Sequence, residues 1–324
     1  MTRVSVTAHA RLHFGFCNLS LAHERLYGSL GVGLERPSVT VAAAPDGEVR
    51  CGHPTVREYA ARAVDLLGVD GADVTVEGAF PRHVGLGSGT QFALATLAAV
   101  ARAHDRTVDV RERAPDLGRG GRSGIGVATF EDGGFVLDAG HPTARFTTDR
   151  PDVGAWSVPP VAARHRIPDG WRFLVVVPDA PAGPSGDDED RSMRSAVEAA
   201  APSPGDRLAG VILRRVLPAV TEGSAERFGA AVAEVGRLNG TWYADEQGGV
   251  YRPPAGELVA ALDDDPAVYG AGQSSWGPAV YGVTDADRVD AARAAGRAAL
   301  DAAGVDGRVV VVEGRNRGAE RRND

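Results

Sequence analysis

The reading turns on Pro81-Arg-His-Val-Gly85-Leu-Gly87-Ser-Gly89-Thr-Gln91-Phe-Ala-Leu-Ala-Thr-Leu-Ala98. Before it runs the alternation Asp73-Val74-Thr75-Val76-Glu77, which predicts a strand. After it, Phe92, Leu94, Leu97 and Val100 stand among alanines and predict a helix. Gly85, Gly87 and Gly89 lie between the two, where glycine permits left-handed backbone and close approach of a ligand. A loop of this kind aims unpaired N–H groups and the positive end of a helix dipole at one point, which suits a phosphate. No Gly-Lys-Ser/Thr follows, so it is not a Walker loop, and the spacing is not the Gly-x-Gly-x-x-Gly of dinucleotide sites. The stretch reads as an anion-binding loop rather than a flexible turn before a core helix.

Outward from it, residues 2–45 predict strands, with Val4, Val6 and Ala8, then Leu12, Phe14 and Phe16 alternating, and a turn at Tyr27-Gly28-Ser29-Leu30-Gly31. Residues 54–67 carry Val56, Tyr59, Ala60, Ala63, Leu66 and Leu67 on one helical face. A second Gly-rich segment, 117–138, ends in the strand-like Phe135-Val136-Leu137-Asp138. Pro151 to Pro168 reads as a linker, followed by a buried strand at Trp171–Val177 and helices around 206–219 and 223–238. A strand at 279–283, a helix at 285–303 and a strand at 308–312 close a smaller α+β half. The Arg-rich run Arg315 to Asp324 reads as a frayed end. The acids of Gly186-Asp187-Asp188-Glu189-Asp190 read as a solvated loop leading into a helix at Arg191–Ala200 rather than as a magnesium site.

The 324 residues suggest two domains, divided as 1–155 and 156–324, and 43% hydrophobic residues suffice for a substantial core. A net charge of -8 argues against nonspecific nucleic-acid binding. All 35 basic residues are arginine, so neither a lysine Schiff base nor a lysine phosphate clamp exists. Cys17 and Cys51 are too few for a disulfide framework. No secretory signal or membrane-spanning run is read, and a cytoplasmic location is expected.

Three segments together resemble the GHMP superfamily of small-molecule kinases. Pro81 to Ala95 is similar to its phosphate loop, Pro-x-x-x-Gly-Leu-Gly-Ser-Ser. Gly121-Arg122-Ser123-Gly124-Ile125-Gly126 with Asp132-Gly133-Gly134 is similar to its second motif, and Gly270 to Gly277 to its late Gly-rich turn. The resemblance implies an α+β, GHMP-kinase-like two-domain fold, with an N-terminal S5-like α/β domain and a C-terminal ferredoxin-like α+β domain. Two departures stand out. Gly126 occupies the place of the kinase aspartate, and Gly89 that of the loop's second serine. Both count against phosphoryl transfer, which depends on positioning and charge stabilisation.

With these departures, Ala10-Arg11-Leu12-His13-Phe14-Gly15-Phe16 and Gln273-Ser274-Ser275-Trp276-Gly277-Pro278 resemble the β-ribofuranosylaminobenzene 5′-phosphate synthase branch. That likeness implies a pentosyl transfer from phosphoribosyl pyrophosphate to 4-aminobenzoate or 4-hydroxybenzoate, with loss of carbon dioxide and pyrophosphate. It also implies methanopterin-type cofactor biosynthesis, Mg2+, and a homodimer as a further expectation.

On this reading Gly85, Leu86, Gly87, Ser88, Gly89, Thr90 and Gln91 grip the pyrophosphate, with Arg119, Arg122 and Ser123 beside them. Arg11 and His13 share a strand face, away from Leu12, Phe14 and Phe16, and are the candidate catalytic groups. Arg25 is a weaker choice for the aromatic carboxylate. Gln273, Ser274, Ser275 and Trp276 close the ring pocket, Trp276 by stacking. Ser88 and Asp138 are the candidate magnesium ligands. An ATP-dependent kinase of the same fold, and a non-catalytic nucleotide- or metabolite-binding module, are the alternatives.

Overall fold

The computed structural model describes residues 3–78, 80–146, 154–183 and 187–323, so Pro151 to Val153 of the expected linker and Gly186 of the acidic run lie outside the described residues. An alternating opening forms strand β1 (Val4–Asn18), which turns back on itself into the 21-residue β2 (Arg25–Pro45). Asn18 closes the hairpin, its side chain donating to the Ser20 and Arg25 carbonyls and accepting from Ser20 N–H. The turn therefore lies at residues 19–24. The expected turn at 27–31 is strand, kinked by left-handed backbone at Tyr27 and Gly28.

Strands β3 (Val49–Cys51), β4 (Ala72–Glu77), β5 (Phe135–Asp138), β6 (His141–Pro142) and β7 (Val161–His165) complete most of an eight-stranded sheet. The length of β2 lets its first half pair with β5 and β6 while its second half pairs with β4. The eighth strand, β12 (Glu320–Asn323), comes from the far end of the chain and pairs antiparallel with β1. The Arg-rich tail is thus not frayed. Arg315, 2% exposed, donates to Glu35, Glu320 and the Gly318 carbonyl, anchoring the return.

Helix α1 (Pro54–Leu67) starts from a His53 cap with proline in its first turn and stops at the left-handed Gly68. Helix α2 (Ser88–Ala103) follows the glycine loop, its alanines allowing close packing against β1 and β2. Short α3 (Val110–Arg113) precedes α4 (Ile125–Asp132).

The second half carries a four-stranded antiparallel sheet, in the order β11-β8-β10-β9, from β8 (Trp171–Pro178), β9 (Ala271–Gln273), β10 (Val280–Asp285) and β11 (Gly307–Glu313). Its helices are α5 (Asp187–Ala199), α6 (Pro202–Val211), α7 (Leu217–Glu222), α8 (Ala225–Gln247), α9 (Ala255–Asp263) and α10 (Val289–Ala302). Between α6 and α7 the backbone widens to a π turn over Ile212–Val216. Pro218 has no N–H to continue the α-helical ladder there, which accounts for the bulge.

The two halves share one core. Phe14 of β1 packs edge-on against Phe228 of α8 and Tyr281 of β10, at ring separations of 5.7 and 4.9 Å. Trp171 stacks 4.7 Å from Phe228. The strand bearing Arg11 and His13 is therefore clamped between both sheets' elements.

Candidate active site

The three Gly-rich segments meet. Gly85 and Gly87 take left-handed angles, φ 94° and 84°. A Cβ on Gly85 would lie 2.1 Å from the Ser274 carbonyl, and one on Gly277 would lie 2.0 Å from the Val84 backbone. The late turn thus presses directly on the loop, and only glycine tolerates that approach. Ser274, fully buried, donates its hydroxyl to the Gly85 carbonyl at 2.8 Å and accepts from the His13 N–H at 3.2 Å. Ser275 N–H donates to the His13 carbonyl at 3.1 Å. One serine therefore ties the loop to β1.

Arg11 braces the same loop. Its N–H donates to the Leu86 carbonyl at 3.1 Å and its Nη1 to the Gly85 carbonyl at 2.6 Å. Burial lowers its pKa to about 10, with Glu189 opposing, so it stays charged near neutrality. Ser88 opens α2 and is buried. Gln91, also buried, donates to the Gly126 carbonyl at 2.9 Å and so links α2 to α4. A Cβ on Gly126 would meet the Thr90 side chain at 3.1 to 3.3 Å. A side chain in the place of the kinase aspartate would need Thr90 to give by a few tenths of an ångström.

Of the two arginines of the second Gly-rich segment, Arg119 reaches the loop and Arg122 faces the acids of α5. Arg119 lies over Gly89 and against Tyr59. Arg122 pairs with Asp190 at 2.5 Å, both side chains largely shielded at 24% and 19% exposure. Burial works against its charge, but Tyr27, Asp190 and Glu189 outweigh it and hold the guanidinium above its ordinary value. Glu189 faces Arg122, Arg119 and Arg11, yet burial and Asp190 leave its carboxyl raised. This corrects the acidic run. Glu189 and Asp190 are not a solvated loop but the first turn of α5, turned onto the arginines. Helix position three to four places the acids beside Arg122, a relation that sequence adjacency does not carry.

Beside this charged region is a cleft lined by His13, Phe16, Asn239, Tyr243, Gln273 and Trp276, among others. Register shifts between His9 and Arg11 and between His13 and Gly15 break the alternation of β1. His13 and Phe16, expected on opposite faces, consequently touch at 5.1 Å. Asn239 of α8 causes the second shift to persist: it accepts from Phe16 N–H at 2.6 Å and donates to the Phe16 carbonyl at 2.8 Å. Burial, with Arg11 adding, lowers the His13 pKa to about 3, so its imidazole is neutral at ordinary pH. Its Nδ1 has no hydrogen-bond partner among the described residues. Tyr243 and Trp276 meet edge-on at 4.4 Å. Gln273 accepts from Arg252 N–H and donates to the Ser275 carbonyl, shaping the turn.

Asp138, Ser123 and Arg25 stand apart from the cleft in role. The Asp138 carboxylate accepts from the Ser29 hydroxyl, Gly124 N–H and Gly140 N–H. Burial raises its pKa against those bonds. It is a tie holding the second motif to β2, with both oxygens engaged, and does not fit a metal ligand. Ser123 shares a hydrogen bond with Ser29 at 2.6 Å. Arg25 donates to the Ala139 and Gly140 carbonyls at 2.6 and 2.8 Å and clasps that turn instead of a substrate. Among the described residues no group of three His, Cys, Asp or Glu side chains gathers as metal ligands, and no helix is long and apolar enough to cross a membrane. Sequence reasoning missed Tyr59, Asn239, Tyr243 and the inward turn of Glu189. Tyr243 and Asn239 lie on one face of a long helix, four residues apart, but nothing local marks that face as facing β1.

The model of the GHMP kinases N terminal domain matches residues 55–134. Beta-ribofuranosylphenol 5'-phosphate synthase of Methanothermobacter thermautotrophicus is 35% identical, over 97% of each chain. The protein of that name from Archaeoglobus fulgidus is 32% identical, over 96% of this chain and 97% of its own. Among solved structures, homoserine kinase from Cytophaga hutchinsonii superposes with a TM-score of 0.67 at 16% identity, covering 99% of this chain and 97% of that one. Mevalonate diphosphate decarboxylase from Staphylococcus aureus gives 0.67 at 13%, covering 99% and 98%. These likenesses at low identity show the GHMP fold alone.

Proposed function

Because the chain belongs to the beta-ribofuranosylphenol 5'-phosphate synthase family, we propose that it joins phosphoribosyl pyrophosphate to 4-hydroxybenzoate, with release of carbon dioxide and pyrophosphate. The relatives' name specifies a phenol, which favours 4-hydroxybenzoate over 4-aminobenzoate as the acceptor. The observation that carries the reading is the seam at Ser274, where an arginine-lined anion loop adjoins an aromatic cleft around a neutral histidine.

In the proposed reaction the bond from the anomeric carbon to pyrophosphate breaks, and its electron pair leaves with the pyrophosphate. The ring carbon bearing the carboxylate bonds to that carbon. The bond to the carboxylate then breaks, its electrons restore the ring, and carbon dioxide departs. No carbon-bound proton has to move, which agrees with a site whose central histidine is not tuned for proton transfer. In this proposal the neutral His13 imidazole would accept a hydrogen bond from the substrate's para hydroxyl, which would push electron density toward the attacking carbon. Arg11, Arg122 and the amides of the loop would hold the pyrophosphate charge. Magnesium enters this proposal only as the counter-ion of the pyrophosphate, with the Ser88 hydroxyl nearest the loop, and no step is derived through it.

Carboxyl-labelled 4-hydroxybenzoate tests the proposal. Labelled carbon dioxide should appear with phosphoribosyl pyrophosphate and not with ATP alone. Absence of release from both 4-hydroxybenzoate and 4-aminobenzoate would overturn it. The kinase alternative is disfavoured because glycine at position 126, the place of the kinase aspartate, supplies no carboxylate to activate a hydroxyl.

A further inference from the structure

Arg119 has a seat that the loop itself provides. A Cβ built on Gly89 would lie 3.0, 3.1 and 3.2 Å from Nη1, Cζ and Nη2 of Arg119. Three nearly equal distances mean that the guanidinium lies flat across the glycine. Tyr59 of α1 holds it as well, with its ring centroid 5.4 Å from Cζ and its hydroxyl accepting a hydrogen bond from Nη2. Tyr59 is itself 6% exposed and packed in the core, so its position is fixed. Arginine held near a ring and bonded to its hydroxyl is pre-oriented and loses little freedom on binding an anion.

A side chain at position 89 and the guanidinium would compete for one space. Gly89 is the second residue of α2, so a cation fixed there adds to the dipole and the free amides of that helix end. The chain has no lysine to serve instead. We infer that Gly89 and Tyr59 are positioning residues that seat Arg119 over the loop as the fixed cation for the pyrophosphate of the substrate. The glycine that departs from the kinase loop is then not a lost hydroxyl but the room for a charge. This deepens the proposed function, on which it rests for the identity of the anion.

Inorganic pyrophosphate, titrated calorimetrically into the full-length protein with magnesium present, tests it. Arg119→Gln and Gly89→Ser should each weaken binding at least tenfold. The double variant should bind no worse than either single one, because both remove the same contact. Tyr59→Phe keeps the ring and loses only the acceptor, so a loss of a few fold is expected. In turnover, KM for phosphoribosyl pyrophosphate should rise in all three while KM for the aromatic acid holds, a split that a general packing defect would not give. Thermal melts establish that each variant is folded. Wild-type affinity in Arg119→Gln, additive losses in the double variant, or no pyrophosphate binding by the wild type would each overturn the inference. Binding with the expected non-additivity but no carbon dioxide release would leave the seat standing and overturn the synthase proposal instead.

Discussion

Ser274→Ala removes one oxygen that serves both halves of the site. The hydroxyl makes two buried hydrogen bonds, at 2.8 Å to the Gly85 carbonyl and 3.2 Å from the His13 N–H. The Gly85 carbonyl keeps Arg11 as a donor, but the His13 N–H is left without this partner. Stranding a buried donor costs about 1–3 kcal/mol, and full burial puts this variant toward the upper end, so it should lose roughly 2–3 kcal/mol. Unfolding entropy scales as about 2.1 cal/mol/K per residue, or roughly 0.7 kcal/mol/K for a chain this long, so the midpoint should fall by about 3–4 °C. Differential scanning calorimetry reads that shift. Steady-state kinetics on the same sample should show KM rising for phosphoribosyl pyrophosphate and for the aromatic acid together. A midpoint within about 1 °C of wild type, with both constants unchanged, would refute the role of Ser274 as the link.

Three further outcomes follow from the geometry. The His13 imidazole is lowered from 6.5 to about 3, so between those values the unfolded chain binds the extra proton. Stability should be fully present above about pH 6.5 and lost as pH falls toward 3, and His13→Gln should flatten that acid slope in urea titrations. Gly126→Asp should destabilise by about 1–3 kcal/mol through crowding of Thr90, and should release no ADP from ATP in a coupled assay. Arg315→Ala removes the buried cation that Glu35 and Glu320 share, but both keep Arg317, so it should cost about 1–3 kcal/mol in denaturant unfolding.

What the sequence made legible was local. The glycine spacing of 85–89, the helical face of residues 54–67 and the runs at 171–177 and 308–312 each carry their own periodicity, and each forms the expected element. Their joint order also pointed to the GHMP fold. What failed was alternation carried across an irregular strand. The register shift between His13 and Gly15 rotates the residues beyond it, so His13 and Phe16 touch although parity puts them on opposite faces. Similarly, Tyr27–Gly31 has turn composition, but pairing with β5 overrides it. Polarity misled twice. Glu189 and Arg315 look like solvent-facing charges until the opposing charges, far away in sequence, are brought beside them. Asp138 was noticed for the right reason, an acid at a strand end, but three donors claim it.

The pairing of β12 with β1 sets a timetable. Val4 lies opposite Asn323, and Thr7 opposite Glu320. A ribosome adding about 5–20 residues per second needs roughly 15–60 s to deliver the second strand after the first. During that interval Val4–Thr7 of β1 have one bare edge, open to chaperones or to another nascent copy. Loop closure over so long a separation is also entropically slow. The outer edge of β1 at Val4–Thr7 is therefore closed only by a strand from the far end of the chain.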